Sequence, residues 1–248
     1  MKNMILAVSA VSAVAASANA GFQGFVASVR TVGSGAYTYT IMDIFAGVSN
    51  SSDKFLNVYD ANISCNVSGG FFQQAGLLSK TWKPDAASFN STRSSIDSFM
   101  TAGTFSGGAY GGEYYASTNT QGDPNFTGTS WNALPASQAA TSVPPNAGWY
   151  TTDPTSVHNN AESLAGLTGR VNGTNGQFAT HGIWVAHLVL SGAGCEIGTD
   201  VSFAGYASIK DGISGALSQG SSSFAAVPAP GALALLGLAG FAARRRRA

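Results

Sequence analysis

Charge is what this chain has least of. Only 10% of its 248 residues are charged, with 12 Lys and Arg against 12 Asp and Glu. Such a chain offers no basic patch to neutralise phosphates, which excludes nucleic-acid binding by that route. Cysteine is nearly as scarce. Cys65 and Cys195 are the two present, too few for a thiolate zinc site, and no histidine stands at ligand spacing around them. No stretch carries a convincing amphipathic helical period, and no internal repeat of about 20–50 residues recurs, so a propeller or solenoid is not expected. The Gly-x-Ser-x-Gly elbow, His-Glu-x-x-His, the phosphate loop and the dinucleotide fingerprint are all missing. No enzymatic activity is predicted.

The remaining polar residues are scattered. His181 and His187 are six apart on one expected strand, which separates them by roughly 20 Å and rules out a shared metal unless the strand bends. They read as the two ends of a buried strand. His158, beside Asn159 and Asn160, has no local partner. Glycoside hydrolysis needs two facing carboxyls, and nothing in the sequence pairs any two of Asp43, Asp60, Asp97, Glu113, Glu162 and Glu196. Asp53, Asp123, Asp153 and Asp200 fall in turn-like segments and offer oxygen ligands to a structural calcium, the only cofactor for which the sequence suggests a place.

What the chain does have is addressed ends. Lys2 precedes an apolar, small-residue stretch from Met4 to Ala16, and Ala18-Asn19-Ala20 supplies the small-x-small pattern of a signal peptide cut between Ala20 and Gly21. At the other end Val227-Pro228-Ala229-Pro230 leads into thirteen uncharged residues, Gly231 to Ala243, and then Arg244, Arg245, Arg246 and Arg247. Thirteen helical residues reach about 20 Å, short of the ~30 Å hydrocarbon core. The arginines hold the C-terminal side in the cytoplasm. A short span between a proline breaker and a basic stop suits transient anchoring in the inner membrane.

This tail resembles the PEP-CTERM sorting signal of exported bacterial proteins, with Ala229 where the usual motif has Glu. The resemblance implies cleavage near the proline motif by an exosortase-type membrane protease, and a cell-surface or extracellular location. Proteins with such tails are associated with exopolysaccharide-producing bacteria, which implies extracellular polysaccharide as a partner. The domain division expected is a signal peptide at 1–20, a β-sandwich domain at 21–219, a linker at 220–226 and the sorting signal at 227–248. With Lys2 and the four terminal arginines removed, seven basic residues face twelve acidic ones.

The body reads as strands. Alternation marks Phe25–Val32, Ala36–Val48, Phe55–Val67, Asp97–Phe105, Phe178–Leu190 and Asp200–Lys210, bounded by Gly/Asn/Ser turns. Ala36–Val48 is apolar on both sides toward its end, the mark of a strand well inside a sheet. In Phe55–Val67, Phe55, Tyr59, Ala61, Ile63, Cys65 and Val67 share the inner face, with Val58 an exception on the other. The turn Asn50–Asp53 suggests that this strand forms a hairpin with the preceding one, and the Asn-Gly pairs in Arg170–Phe178 signal another hairpin. From Ser106 to about Thr155 the sequence is Gly/Ser/Asn-rich and irregular. The fold class expected is all-β: an antiparallel sandwich, jelly-roll-like, with a long irregular insertion.

Export to an oxidising compartment favours a Cys65–Cys195 bridge; the alternative is two buried thiols. Trp82, Trp131, Trp149 and Tyr150 lie in loop-like surroundings and offer rings for sugar stacking, or else plug the ends of the sandwich. The function expected is that of an exported surface or matrix interaction protein. The alternatives are a carbohydrate-binding module using Trp131, Trp149 and Tyr150, and a polysaccharide hydrolase with an unrecognised acid pair.

Overall fold

The structure, a computed structural model, describes residues 21–72, 96–103, 118–119, 145–156 and 159–224. Ala20 and the signal segment lie outside the described residues, as do the tail residues Val227–Pro230 and Arg244–Arg247, most of the irregular insertion, and Trp82, Trp131, Asp123, Glu113 and His158. Among the described residues the strands are β1 (Phe22–Ser34), β2 (Tyr37–Val48), β3 (Lys54–Cys65), β4 (Phe99–Met100), β5 (Thr118–Asn119) and β6 (Ala147–Thr151). They continue with β7 (Glu162–Ser163), β8 (Arg170–Asn172), β9 (His181–Ser191), β10 (Val201–Lys210) and β11 (Leu217–Phe224). A single 3-10 turn covers Gly176–Phe178.

The strands form two antiparallel sheets. The first runs β4-β9-β2-β1-β8, with β7 also on β9, and the second runs β11-β10-β3-β6-β5. The chain changes sheet after β2, β3, β4, β6 and β9, the interleaved winding of a jelly-roll-like sandwich. Inner-face residues of both sheets build one core, with Phe25, Met42, Ile44, Ile183 and Leu188 from the first packed against Phe55, Val58, Ile63, Trp149 and Phe203 from the second. Phe25 meets Phe203 edge-on at 4.9 Å, a favourable aromatic geometry.

The first sheet is covered on its other face as well. Val26, Phe45, Phe99, Leu164, Ala179 and Trp184 form a second buried cluster there, with Leu164 coming from the connection after β7. Two-sided burial is why β2 and β9 read as apolar on both faces. One side of the sandwich is sealed by serines. The Ser222 hydroxyl accepts from Phe25 N at 2.9 Å and donates to Thr174 O at 2.8 Å, while Ser218 accepts from Phe22 N at 3.3 Å. These bonds join β11 to β1 across the gap between the sheets.

Four expectations need correction. β2 and β3 are not a hairpin, because both edges of β2 are taken by β1 and β9 and β3 crosses to the other sheet. The Asn-Gly turn does bend the chain, with Asn175 at φ 67°. It joins β8 to β9, however, and these two strands lie apart in the sheet with β1 and β2 between them. Phe178, expected within the most hydrophobic strand, is 71% exposed because β9 begins at His181. Residues 220–224, expected as linker, are the second half of β11, paired with β10 from Phe203↔Phe224 to Lys210↔Leu217.

Candidate functional site

The second sheet keeps an outward face, and two irregularities in β3 decide what that face shows. Register shifts against β10 fall between Ser208 and Ile209 and between Ala204 and Tyr206, and Asp60 sits at φ 51°. A bulged residue sends its neighbours to opposite faces from those that simple alternation assigns. Val58 therefore points inward, opposite Trp149, and Tyr59 points outward, opposite Tyr206. The sequence reading had these two the other way round.

The Tyr59 and Tyr206 rings stack with centroids 5.2 Å apart and planes 20° apart. Tyr206 is 39% exposed and Tyr150, on β6, is 37% exposed. One row along the strands, Asn57 lies between Tyr150 and Ser208, and Ser208 pairs with Gln219 on β11. Gln219 Nε2 donates to Ser208 Oγ at 3.2 Å. Ser221 pairs with Tyr206. At ~4.8 Å between strands and ~3.3 Å per residue, these side chains make a strip about 15 Å across and two rows deep. The strip carries rings, hydroxyls and amides. The charges at its margins are those of exposed Asp60 and Lys210, and Lys54, which is tied to Asn160 Oδ1 and Ser156 O.

A second polar arrangement lies under cover. One row across the first sheet aligns Phe99, His187, Asp43, Ser28 and Arg170 on β4, β9, β2, β1 and β8. His187 Nδ1 and Asp43 Oδ1 are 2.6 Å apart, and Arg30, diagonal to Asp43, forms an ion pair with Asp43 Oδ2. Phe99 stacks on the His187 ring at 4.8 Å and Trp184 meets it edge-on at 5.7 Å. Sequence reasoning missed this pairing because it depends on which strands are neighbours. Asp43 and His187 are both completely buried, so the pair clamps β9, β2 and β1 and presents no open approach to a substrate.

A third cluster sits where the β2–β3 corner meets the β10–β11 turn. Asp53 Oδ1 accepts from Gly212 N at 3.2 Å, and Asp211 Oδ1 accepts from Ile213 N and Ser214 N, each at 2.7 Å. Burial pushes the Asp53 carboxyl up, the neighbouring Asp211 adds to that, and the Gly212 N–H opposes it. The Ser214 and Ile213 N–H groups hold Asp211 below the usual carboxylate range. Gly212 is required here by close approach, since a Cβ would run into Ser52 O.

The expected site residues separate. Trp149 is buried on the inner face of β6, its indole N–H donating to Thr101 O at 3.1 Å across the sandwich. It is a core residue, not a stacking platform, because residues 147–151 form a strand inside the supposed loop. Its neighbour Tyr150, one residue on, faces out. Of the acids considered for calcium, Asp153 accepts from Thr155 N and Oγ1, and Asp200 Oδ2 accepts from Glu196 N at 2.7 Å. Each thus closes its own turn. Among the described residues no group of three or more His, Cys, Asp or Glu is placed to hold a metal ion, and no helix is long and apolar enough to cross a membrane. Cys65 and Cys195 are thiols in this structure, the first buried and the second half-buried against the same core. Compared with protein-family models, curated proteins and solved structures, the chain matches none.

Proposed function

We propose that this chain is an exported cell-surface or matrix protein that acts by binding, and that its contact face is the outward side of the second sheet. The observation that carries the reading is the stacked pair of half-buried Tyr59 and exposed Tyr206 beside exposed Tyr150. Exposed tyrosines present flat apolar rings with a polar tip, and the exposed Gln219 amide and Ser221 hydroxyl lie alongside them, with Asn57 half-buried and Ser208 buried beneath. That combination suits the pyranose rings and hydroxyls of an extracellular polysaccharide. The strip itself is uncharged, and the body with both end segments removed carries a net negative charge. A neutral glycan therefore fits better than a polyanionic one, which the body would repel. The N-terminal signal and the exosortase-type tail put the domain where such a ligand is found.

Affinity electrophoresis against neutral polysaccharides tests this reading. Retardation should fall several-fold in Tyr206→Ala and Tyr59→Ala. It should persist in Tyr37→Ala, which removes a 76% exposed ring from the first residue of β2, away from the strip. Equal retardation in all three variants would refute the assignment of the face. Release of reducing ends by the protein would overturn the non-catalytic reading.

A further inference from the structure

We propose that Cys65 and Cys195 are a disulfide site, closed by thiol–disulfide exchange with a small disulfide donor, and that the bond fastens the two sheets at one corner. The inference does not depend on what the protein binds. The two cysteines are far apart in sequence but share a corner of the fold. Cys65 ends β3 and pairs with Val201 at the start of β10, and Val201 in turn bridges Ile197. The next residue, Asn66, donates its N–H to Asp200 O at 2.8 Å, and Asp200 donates its own to Glu196 O, also at 2.8 Å. Glu196 follows Cys195 directly. The backbone of Cys195 is also fixed, donating to Thr40 Oγ1 of β2 at 3.2 Å. Both side chains pack into the same core cluster, and the Cys195 thiol lies close enough to Cys65 to add to the upward push on it. Cys65 belongs to the second sheet, and Cys195 lies in the loop that runs from β9 to β10, with its backbone N–H held by Thr40 of the first sheet. A bond between them is a staple between layers.

The arrangement also sets the order of events. Cys65 is sealed in the core, and burial pushes its thiol up, which slows its attack on anything. Cys195 is half-exposed and is the sulfur that a donor reaches first. Its thiolate attacks one sulfur of the donor R–S–S–R, forming a mixed disulfide and expelling the first RS⁻, which takes up a proton. Cys65 then loses its proton and attacks the Cys195 sulfur, expelling the second RS⁻. The protein is oxidised by two electrons, and the donor is reduced to two thiols. The closed loop spans about 130 residues, for which the chain-entropy model sets a ceiling of about four-thousandfold on the drop in the unfolding constant.

The test incubates the reduced full-length chain, under native conditions, with glutathione disulfide and follows intact mass and peptide maps. The expected product is monomeric, lighter by two hydrogens, with the Cys65 and Cys195 peptides joined, and it unfolds at higher urea than the reduced form. Cys65→Ser should stop at a glutathione adduct on Cys195. Cys195→Ser, which alters the less buried position and tests the order even if Cys65→Ser folds poorly, should leave Cys65 as a thiol. A wild-type protein that keeps both thiols, accumulates two adducts, or links to a second copy would overturn the proposal.

Discussion

Replacing Asp43 with Asn is the sharpest perturbation the fold offers. Asp43 lies at the centre of the first sheet and accepts from His187 on one side and Arg30 on the other. Asn has nearly the same shape, so packing is kept, but one of its two polar atoms becomes a donor facing a donor. Removing one partner of a buried ion pair costs about 3–5 kcal/mol, because the other charge is left uncompensated. The lower end applies here, since the Arg30 side chain is 21% exposed and can recover part of its hydration. A loss of about 3 kcal/mol is a large part of the roughly 5–15 kcal/mol that holds a domain together. With a urea slope of about 2–3 kcal/mol/M, the midpoint should fall by roughly 1–1.5 M. Tryptophan fluorescence reports the transition from the inside, because Trp184 touches the His187 ring. The cycle with His187→Gln should show non-additivity of at least ~0.5 kcal/mol, as residues in one hydrogen-bonded network do. A loss under ~1 kcal/mol, or strict additivity, would refute the clamp.

Two further outcomes concern the margins of the sandwich. Ser222→Ala removes the acceptor for Phe25 N–H and the donor to Thr174 O in a buried seam, and it should cost about 1–3 kcal/mol in denaturant titration. A cost within ~0.5 kcal/mol would mean that the β1–β11 join is not held by that hydroxyl. Asp53 has a folded pKa above its unfolded value, so its contribution to stability is fully present below the unfolded pKa and is lost as pH rises through the folded one. Asp211, with a depressed folded pKa, does the opposite: its contribution is present above the unfolded pKa and is lost as pH falls through the folded one. Asp53→Asn should therefore lose stability relative to wild type as the pH is lowered from 7 to 4. Parallel pH profiles for the two proteins would sink that assignment.

Strand identity was legible in this sequence wherever a strand is long and its burial simple. β2 shows Ile41 and Phe45 on one face and Met42, Ile44 and Ala46 on the other, apolar on both faces, and it does lie between two neighbours with both faces covered. Partners were not legible. A short turn such as Asn50–Asp53 leaves open whether the next strand pairs alongside or crosses to the opposite layer. Here the edge of β2 was already occupied by β9, which arrives from more than a hundred residues later. The buried Asp43–His187 pair was hidden for the same reason, because it exists only once β2 and β9 are neighbours. Trp149 was misplaced because a five-residue strand, AGWYT, is too short to stand out from Gly/Ser/Asn-rich surroundings.

The outward face was misread through a smaller cause with a large effect. Simple alternation from Phe55 puts Tyr59 inside and leaves Val58 as an unexplained apolar residue on the wet side. Asp60 in the left-handed region, with the two register shifts of β3, resolves both anomalies at once. An aspartate accepts that conformation more readily than most side chains, so the bulge has a sequence cause, though one visible only in hindsight. The two shifts together, one between Phe55 and Asn57 and one at Asp60, put Tyr59 beside Tyr206 on the surface. Among the described residues the outer side of the first sheet is taken up by the second cluster and by the Arg30–Asp43–His187 clamp. Burial sets the two sheets apart: the first is covered on both sides, and the second keeps a wet side, which is the face proposed above to meet a ligand.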